Sequence, residues 1–409
     1  MTALPSRRRR NTLIALAAGL VTAVVAPTLV YVGAKAISNS KAGKNVLADV
    51  PPEQAFPDTP TAMLATVNDA NELTSLTVFV LAPDAAAASN PAHDQRGGSI
   101  VSVPINADTE SSDQVLSLRD AYAQGGESGL RLGLESAINL SIDFSAVMKR
   151  DEFATFLTGL PSVTADLPRD VLGPTEAVVF PKGSTKLTAA QIAEILTSKS
   201  PTEHERLRRT NLEAVWIGIA TAIGSGRQGQ TLSASPPKTF AEMATRLMAG
   251  PVGSRGLLTR PIDAARNPDK LDVEALDRPD AVLVFASIAP ASMSRPGNGQ
   301  SYRIEAPAGY DAQVRKTIAI LLAAGGNVVS VDLRSTPKAK TTLSIYDADA
   351  AAVEPTDNTV FGSVTVQAPS IRLAGVDVTI SLGTDYLKQV DLSAPDATST
   401  SLQATETTV

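Results

Sequence analysis

The chain has 409 residues, 43% of them hydrophobic and 19% charged, with a net charge of −6; it can bury a core and is too long for one small domain. Residues 1–37 hold five basic residues and no acid, so the rest carries 31 basic against 42 acidic residues, which excludes a broad nucleic-acid-binding surface. With no cysteine, disulfides, thiolate catalysis and zinc–thiolate sites are excluded, and His93 and His204 alone leave little material for a Ser-His-Asp triad.

Arg7 to Arg10 precede an uncharged run from Thr12 to Ala34. At 1.5 Å per residue it reaches roughly 34 Å, enough to cross a bilayer core. A transmembrane helix over 12–34 is predicted. Because positive charge stays inside, residues 1–11 are cytoplasmic and everything beyond the helix is extracytoplasmic. The competing reading is a leader cleaved at Ala34-Lys35-Ala36, but the run exceeds a usual signal core of ~7–15 residues. Residues 38–61 are polar and proline-bearing and read as a stalk.

Strand and helix patterns then alternate. SLTVFVLAP and GGSIVSVPI read as buried strands. Helical patterns cover 113–138, broken at Gly125-Gly126, then 150–159, 187–199, 201–223 and 237–249, with TEAVVFP a strand. The mixture predicts an α/β sandwich-like domain over 62–290. The stretch 289–300 (APASMSRPGNGQ) reads as a linker. Over 300–390, YRIEAP, a helix near 310–324, GNVVSVDL, TTLSIYD and DVTISLG predict a small α/β module. Residues 391–409 are Ser/Thr-rich and read as a disordered tail. GSGRQGQ lacks the leading strand and the Gly-Lys-Ser/Thr of a phosphate loop, and reads as a flexible connection.

The densest charge lies in SPTEHERLRRTNLEAVW, residues 200–216. Ser200 is placed as an N-cap, Pro201 as the first helical residue and Glu203 as the partner in a capping box. Glu205–Arg209 and Arg209–Glu213 have i,i+4 spacing, and Leu212, Val215, Trp216, Ile219 and Ile223 form an apolar stripe. These residues make a well-capped, solvated helix start without any further role. Arg206 and Arg209 remain, three apart on one face, with Lys199 just ahead. Guanidinium pairs so spaced suit bidentate binding of phosphate oxygens, which makes Lys199, Arg206 and Arg209 candidate phosphate ligands. His204, Arg119, Lys149 and Arg150 read as solvated surface groups.

Several segments resemble the LytR-CpsA-Psr family, membrane-anchored envelope enzymes that move glycopolymers from polyprenyl-pyrophosphate carriers onto peptidoglycan. AYAQGG (121–126) is similar to the family's Ala-Tyr-x-x-Gly-Gly turn. FLTGLPSVTADLP resembles its strand after a helix, with Pro161-Ser162 in place of Gly-Gly. LTAAQIAEILTSK resembles its next helix, and Glu203-x-x-Arg206-x-x-Arg209 its acid-x-x-Arg-x-x-Arg. DAQVRKTIAILLAAGGNVVSVDL, TTLSIYD and DVTISLGTDY look like the LytR C-terminal domain, with APAG (306–309) where Asn-Gly is usual.

The departures fall on the chemistry. The family's Arg-x-Asp-Thr, whose acid helps hold Mg²⁺, meets Thr74-Ser75-Leu76-Thr77, and leucine offers no oxygen to a hard cation. Pro-Arg-Asp meets Pro104-Ile105-Asn106, and Arg-x-Arg meets Thr197-Ser198-Lys199. The resemblance thus implies a single-pass, extracytoplasmic envelope protein that has lost turnover. It would have no catalytic residue, metal or cofactor of its own and would bind a polyprenyl-phosphate carrier, a cell-wall glycan or another envelope protein. One alternative is an active phosphotransferase in which Asp108, Asp113 and Asp120 rebuild a Mg²⁺ site. Another is a purely structural partner with a closed pocket. Regulation of DNA does not fit a cytoplasmic part of about eleven residues.

Overall fold

A computed structural model describes residues 52–83, 97–110, 115–224, 236–295, 299–345, 360–362 and 364–393. The predicted membrane run 12–34, the connection 225–230 and the tail beyond Ser393 lie outside them. Among the described residues no helix is long and apolar enough to cross a membrane. Contacts group 54–369 with 373–409 into one unit and 1–53 with 370–372 into another; every element described here belongs to the first.

The architecture is mixed α/β. Strands β1 (Thr61–Val67) and β2 (Leu73–Leu81) form an antiparallel pair. Both are buried along their whole length, as central strands covered on both faces must be. Thr59 and Pro60, the end of the segment read as a stalk, are buried with them. The turn between the strands is closed by Asn68, whose carboxamide oxygen accepts from the Glu72 amide at 2.9 Å.

The β1–β2 pairing contains a bulge. Register passes from Thr66 opposite Ser75 to Val67 opposite Leu73, so Thr74 is an extra residue. Strand β3 (Gly98–Val103) extends the pair on the far side of β2.

Helix α1 (Leu118–Ile138) starts in a capping box between Ser117 and Asp120. It kinks at Gly126, where φ is 59° and ψ −147°, matching the break expected at Gly125-Gly126. Tyr122 ties the helix back to the β1–β2 turn, donating to Asn71 Oδ1 at 3.1 Å. Then come β4 (Phe144–Met148), parallel to β1, and α2 (Arg150–Phe156). Two antiparallel pairs follow, β5 (Val163–Leu167) with β8 (Gly183–Leu187), enclosing β6 (Val171–Leu172) with β7 (Val178–Phe180). Helices α3 (Ala189–Thr197), α4 (Glu205–Ile223) and α5 (Phe240–Ala249) lead to β9 (Val252–Gly256), which completes the sheet order β9-β3-β2-β1-β4.

One face of the sheet packs α2 to α5. Leu64, Phe79 and Ile100 meet Phe153, Ile192, Trp216 and Leu247 there. Aromatic rings fill this layer: Phe79 meets Trp216 edge-on at 5.8 Å and stacks on Phe240 at 6.0 Å, and Phe153 meets Trp216 at 6.1 Å. The other face carries Met63, Leu73, Leu76 and Val101 against α1.

A hairpin of β10 (Thr259–Pro261) and β11 (Glu274–Leu276) leads into α6 (Arg278–Ile288). This helix is apolar nearly all round, and a helix of that kind must be buried on every side. Ala281, Val284 and Phe285 enter the α1 core. Val282, Leu283 and Ala286 enter a third core belonging to the C-terminal module.

That module comprises β12 (Ser301–Glu305), α7 (Asp311–Ala323), β13 (Asn327–Asp332), β14 (Thr341–Ile345), β15 (Val364–Gln367), β16 (Val378–Ser381) and α8 (Thr384–Gln389). Its sheet order is β13-β12-β16-β14-β15, with α7 making the crossover between the parallel strands β12 and β13. Arg315 on α7 forms an ion pair with Asp277, the N-cap of α6. The stretch read as a linker begins with a 3₁₀ turn at Pro290–Ser292, and Met293 bridges to Leu140.

The start of α4 corrects two expectations. The N-cap is His204, not Ser200, and its side chain makes no cap hydrogen bond. Ser200 is fully buried and its hydroxyl accepts from the Thr202 amide at 3.3 Å, a local turn that competes with capping. The first-turn donor is satisfied from a distance: Asp272 Oδ2 accepts from the Glu205 amide at 3.2 Å. Glu205 also pairs with Arg208, at 3.4 Å, rather than with Arg209. Both members of that pair face the interior, whereas Arg209 turns to Glu213 at 3.5 Å as expected.

Candidate functional site

The apolar stripe of α4 runs back one turn from Leu212 to Arg208 and Glu205, and these two charged residues are only 3% and 2% exposed. Arg208 is held by backbone carbonyls. Its Nε donates to Ser198 O at 2.8 Å, Nη2 to Leu196 O at 3.1 Å and Nη1 to Thr74 O at 2.5 Å. It therefore joins the carbonyls that α3 leaves unpaired at its C-terminus to the bulge in β2. A buried guanidinium engaged at all three nitrogens in this way is a structural knot.

Around this knot stand further charged groups, here called the basin. Lys199 is half-buried, and burial together with the adjacent Arg119 holds its ammonium below the ordinary lysine range, against the pull of Glu72 and Glu205. Glu205 is pushed above the ordinary carboxylate range by burial, against Arg208 and Arg119. Glu203 is raised too, by burial, with Arg208 and Arg169 opposing. The side chains of Arg119 and Lys199 donate no hydrogen bond to any described residue, unlike Arg208. A phosphate oxygen could accept hydrogen bonds from both side chains, which lack such an acceptor among the described residues. Arg119 is therefore part of the site, although its sequence context reads as a solvated charge.

Lys199, Arg206 and Arg209 do not form one cluster. The charges that act on Lys199 are Arg119, Glu72, Glu205 and Arg208. Arg206 is exposed and lines a separate open groove with His204 and residues of the β10–β11 connection. Arg209 is engaged by Glu213, by Glu274 at 3.8 Å and by the Thr259 hydroxyl at 3.2 Å. His204 is a surface group, its side chain 74% exposed and 3.5 Å from Asp272.

The positions where the resemblance places a metal acid and a phosphate arginine are closed. Leu76 is 1% exposed and belongs to the α1 core. The bulge at Thr74 puts Ser75, not Leu76, beside Thr66, whose hydroxyl bonds Ser75 Oγ at 2.7 Å and Leu196 O at 3.2 Å on the α3 side. Ile105 lies in the α1 core, and Asn106 is fully buried with its amide group making no hydrogen bond. Asp108 accepts from Arg266 at 2.9 Å, and Asp120 caps α1 by accepting from Ser117; Asp113 lies outside the described residues. Among the described residues no group of three or more His, Asp or Glu is placed to hold a metal ion.

Arg208 and Glu205 were within reach of sequence reasoning: extending the stripe Leu212, Val215, Ile219 backward by four and then three residues lands on both. The role of Arg119 had no such signal, because it depends on the tertiary approach of α1 to the residue after α3.

No protein-family model and no curated protein matches this chain. Similar solved structures include B. subtilis TagV, 10% identical over 54% of this chain and 91% of its own, with a TM-score of 0.36. TagT bound to LIIa-WTA is 14% identical over 56% of this chain and 88% of its own, with a TM-score of 0.39. The LytR-CPS2A-psr family protein YwtF (TagT) with bound octaprenyl pyrophosphate lipid is 15% identical over 54% and 83%, with a TM-score of 0.35.

Proposed function

We propose that this chain is a single-pass, extracytoplasmic protein of the cell envelope, a LytR-CpsA-Psr-like domain followed by a LytR C-terminal-like module. On this reading it holds a polyprenyl-phosphate-linked carrier or its glycan without turning it over. The observation that carries the reading is the pair Arg119 and Lys199, whose side chains donate no hydrogen bond among the described residues although Glu72 and Glu205 act on Lys199, next to the residues that resemble the family's phosphate-binding segment. A phosphate would take hydrogen bonds from both and relieve their mutual repulsion. Placed cations and a metal clamp the charge that develops in phosphoryl transfer. Here Leu76 supplies no oxygen and Arg208 is bound to carbonyls, so the basin supports binding of the ground state rather than turnover.

The test uses the full chain in neutral detergent, mixed with a short-chain polyprenyl pyrophosphate with and without Mg²⁺, recording binding and phosphate release. Binding without release is expected, weakened at least tenfold (~1.4 kcal/mol) by Arg119→Ala/Lys199→Ala. Mg²⁺-dependent release would overturn the non-catalytic reading in favour of a glycopolymer phosphotransferase. No binding would overturn the carrier reading. It would favour a structural partner in an envelope assembly, a role that the ring-filled layer between the sheet and α4 also suits.

A further inference from the structure

On the other flank of α4, the connection between β10 and β11 folds over Arg206 and bounds an open groove of about 400 Å³. That volume lies at the small end of the roughly 300–1,000 Å³ typical of ligand pockets. The wall is shaped by specific bonds. Asn267 exchanges two hydrogen bonds of 2.9 Å with the backbone of Leu271, Arg266 pairs with the buried Asp108, and Asp272 accepts from the first amide of α4. The floor is apolar, with Leu207, Ile262, Leu271 and Val273, and Leu271 is 54% exposed.

The groove carries two acids and two cations, which differ in what they touch. Its two acids are already engaged: Glu274 accepts from the Thr259 hydroxyl at 2.7 Å and faces Arg209, while Asp272 is held by the Glu205 amide and faces His204. Its two cations, Arg206 and Lys270, are exposed and have no side-chain hydrogen bond or ion pair among the described residues. The two cations thus stand beside an apolar floor with no partner among the described residues.

We propose that this groove binds a compact organic anion, with one phosphate or carboxylate head paired by Arg206 and Lys270 and an apolar body laid on Leu271 and Val273. The site is separate from the Arg119–Lys199 basin and does not depend on the carrier reading.

The experiment is equilibrium dialysis of the full chain in neutral detergent against 1-naphthyl phosphate, 1-naphthoate and inorganic phosphate, with protein-free detergent as the blank. Saturable binding of 1-naphthyl phosphate is expected, at least tenfold tighter than inorganic phosphate. The naphthoate arm tells a carboxylate preference from a phosphate one. Arg206→Ala/Lys270→Ala, both exposed and so without a folding cost, should weaken binding at least tenfold and Leu271→Ser about threefold. Arg119→Ala/Lys199→Ala should leave it within twofold. The proposal is overturned if the wild type shows no saturable binding of either organic anion, or if inorganic phosphate binds as tightly. It is equally overturned if the Arg206/Lys270 pair can be removed without effect, or if the loss follows Arg119 and Lys199 instead.

Discussion

Arg208 and Arg206 are two positions apart and differ in everything that sets the cost of a mutation. Arg208→Ala would remove one donor from each of three carbonyls, leaving Leu196 O only the Thr66 hydroxyl, and would leave Glu205 buried without its partner. Breaking a buried pair in this way costs about 3–5 kcal/mol. Arg206→Ala removes an exposed side chain and should change stability by no more than about 0.5 kcal/mol. Denaturant unfolding of both variants checks this, and equal midpoints would refute the structural role of Arg208. Glu213 carries a pH prediction: burial raises its carboxyl above the ordinary value of 4.5, with Arg209 opposing. A group whose native pKa is raised adds stability that is complete below the unfolded value and lost as pH rises through the native one. The same sign holds for Glu203. Stability should therefore fall as pH climbs from about 4.5 through the raised values, and Glu213→Gln should flatten that fall in a series of melting midpoints. A slope identical to that of the wild type would defeat the assignment. At this scale the apolar stripe of α4 was legible, and the cap was not: Asp272 lies 67 residues from the amide it accepts from, and no local pattern encodes that bond.

Helices and strands were more readable than their ends. The kink in α1 was visible as Gly125-Gly126, but the two glycines are not equivalent. Gly126 sits at φ 59°, whereas a Cβ on Gly125 would meet nothing within 4 Å and that residue lacks a positive φ. Gly126→Ala should cost about 1–3 kcal/mol and Gly125→Ala should be neutral or stabilising by up to ~1 kcal/mol. Reversal of that order in denaturant midpoints would show that the kink is not set by backbone strain. Strand β2 was legible as a buried apolar run, but its bulge was not, because bulges follow from pairing with β1. TEAVVFP did contain β7, but the two residues of β6 and the three each of β10 and β11 are too short to carry a period.

For the molecule as a whole, the mixed α/β succession was legible from alternating patterns in both the N-terminal and the C-terminal stretch. Their junction was not, because α6 reads simply as an apolar helix and only the fold reveals that it serves two cores. Leu283→Ala, on the module side of α6, should cost about 2–5 kcal/mol. Because the two cores share one helix, they should unfold together. Fluorescence of Trp216, the only tryptophan and fully buried in the sheet–α4 layer, should track far-UV circular dichroism through one transition that the variant shifts as a whole. Two separated transitions would show the module to be independent.

The extra residue at Thr74 also governs what small steps are open to this protein. An aspartate placed at 76 would not face Arg208 or the basin; it would enter the dry layer against α1, alongside Leu73, Leu134 and Phe285. An unpaired carboxylate there carries a desolvation cost of several kcal/mol, so Leu76→Asp should lower the melting temperature, and added Mg²⁺ should not restore it. Aiming an acid at the basin from that position would require removing the bulge as well, and the strand frame would slip by one, exchanging side chains between the two packed layers on either side of the sheet. Each change is harmful without the other. The bulge thus ties the polarity of position 76 to the pairing frame of the whole strand, and the two can change only together.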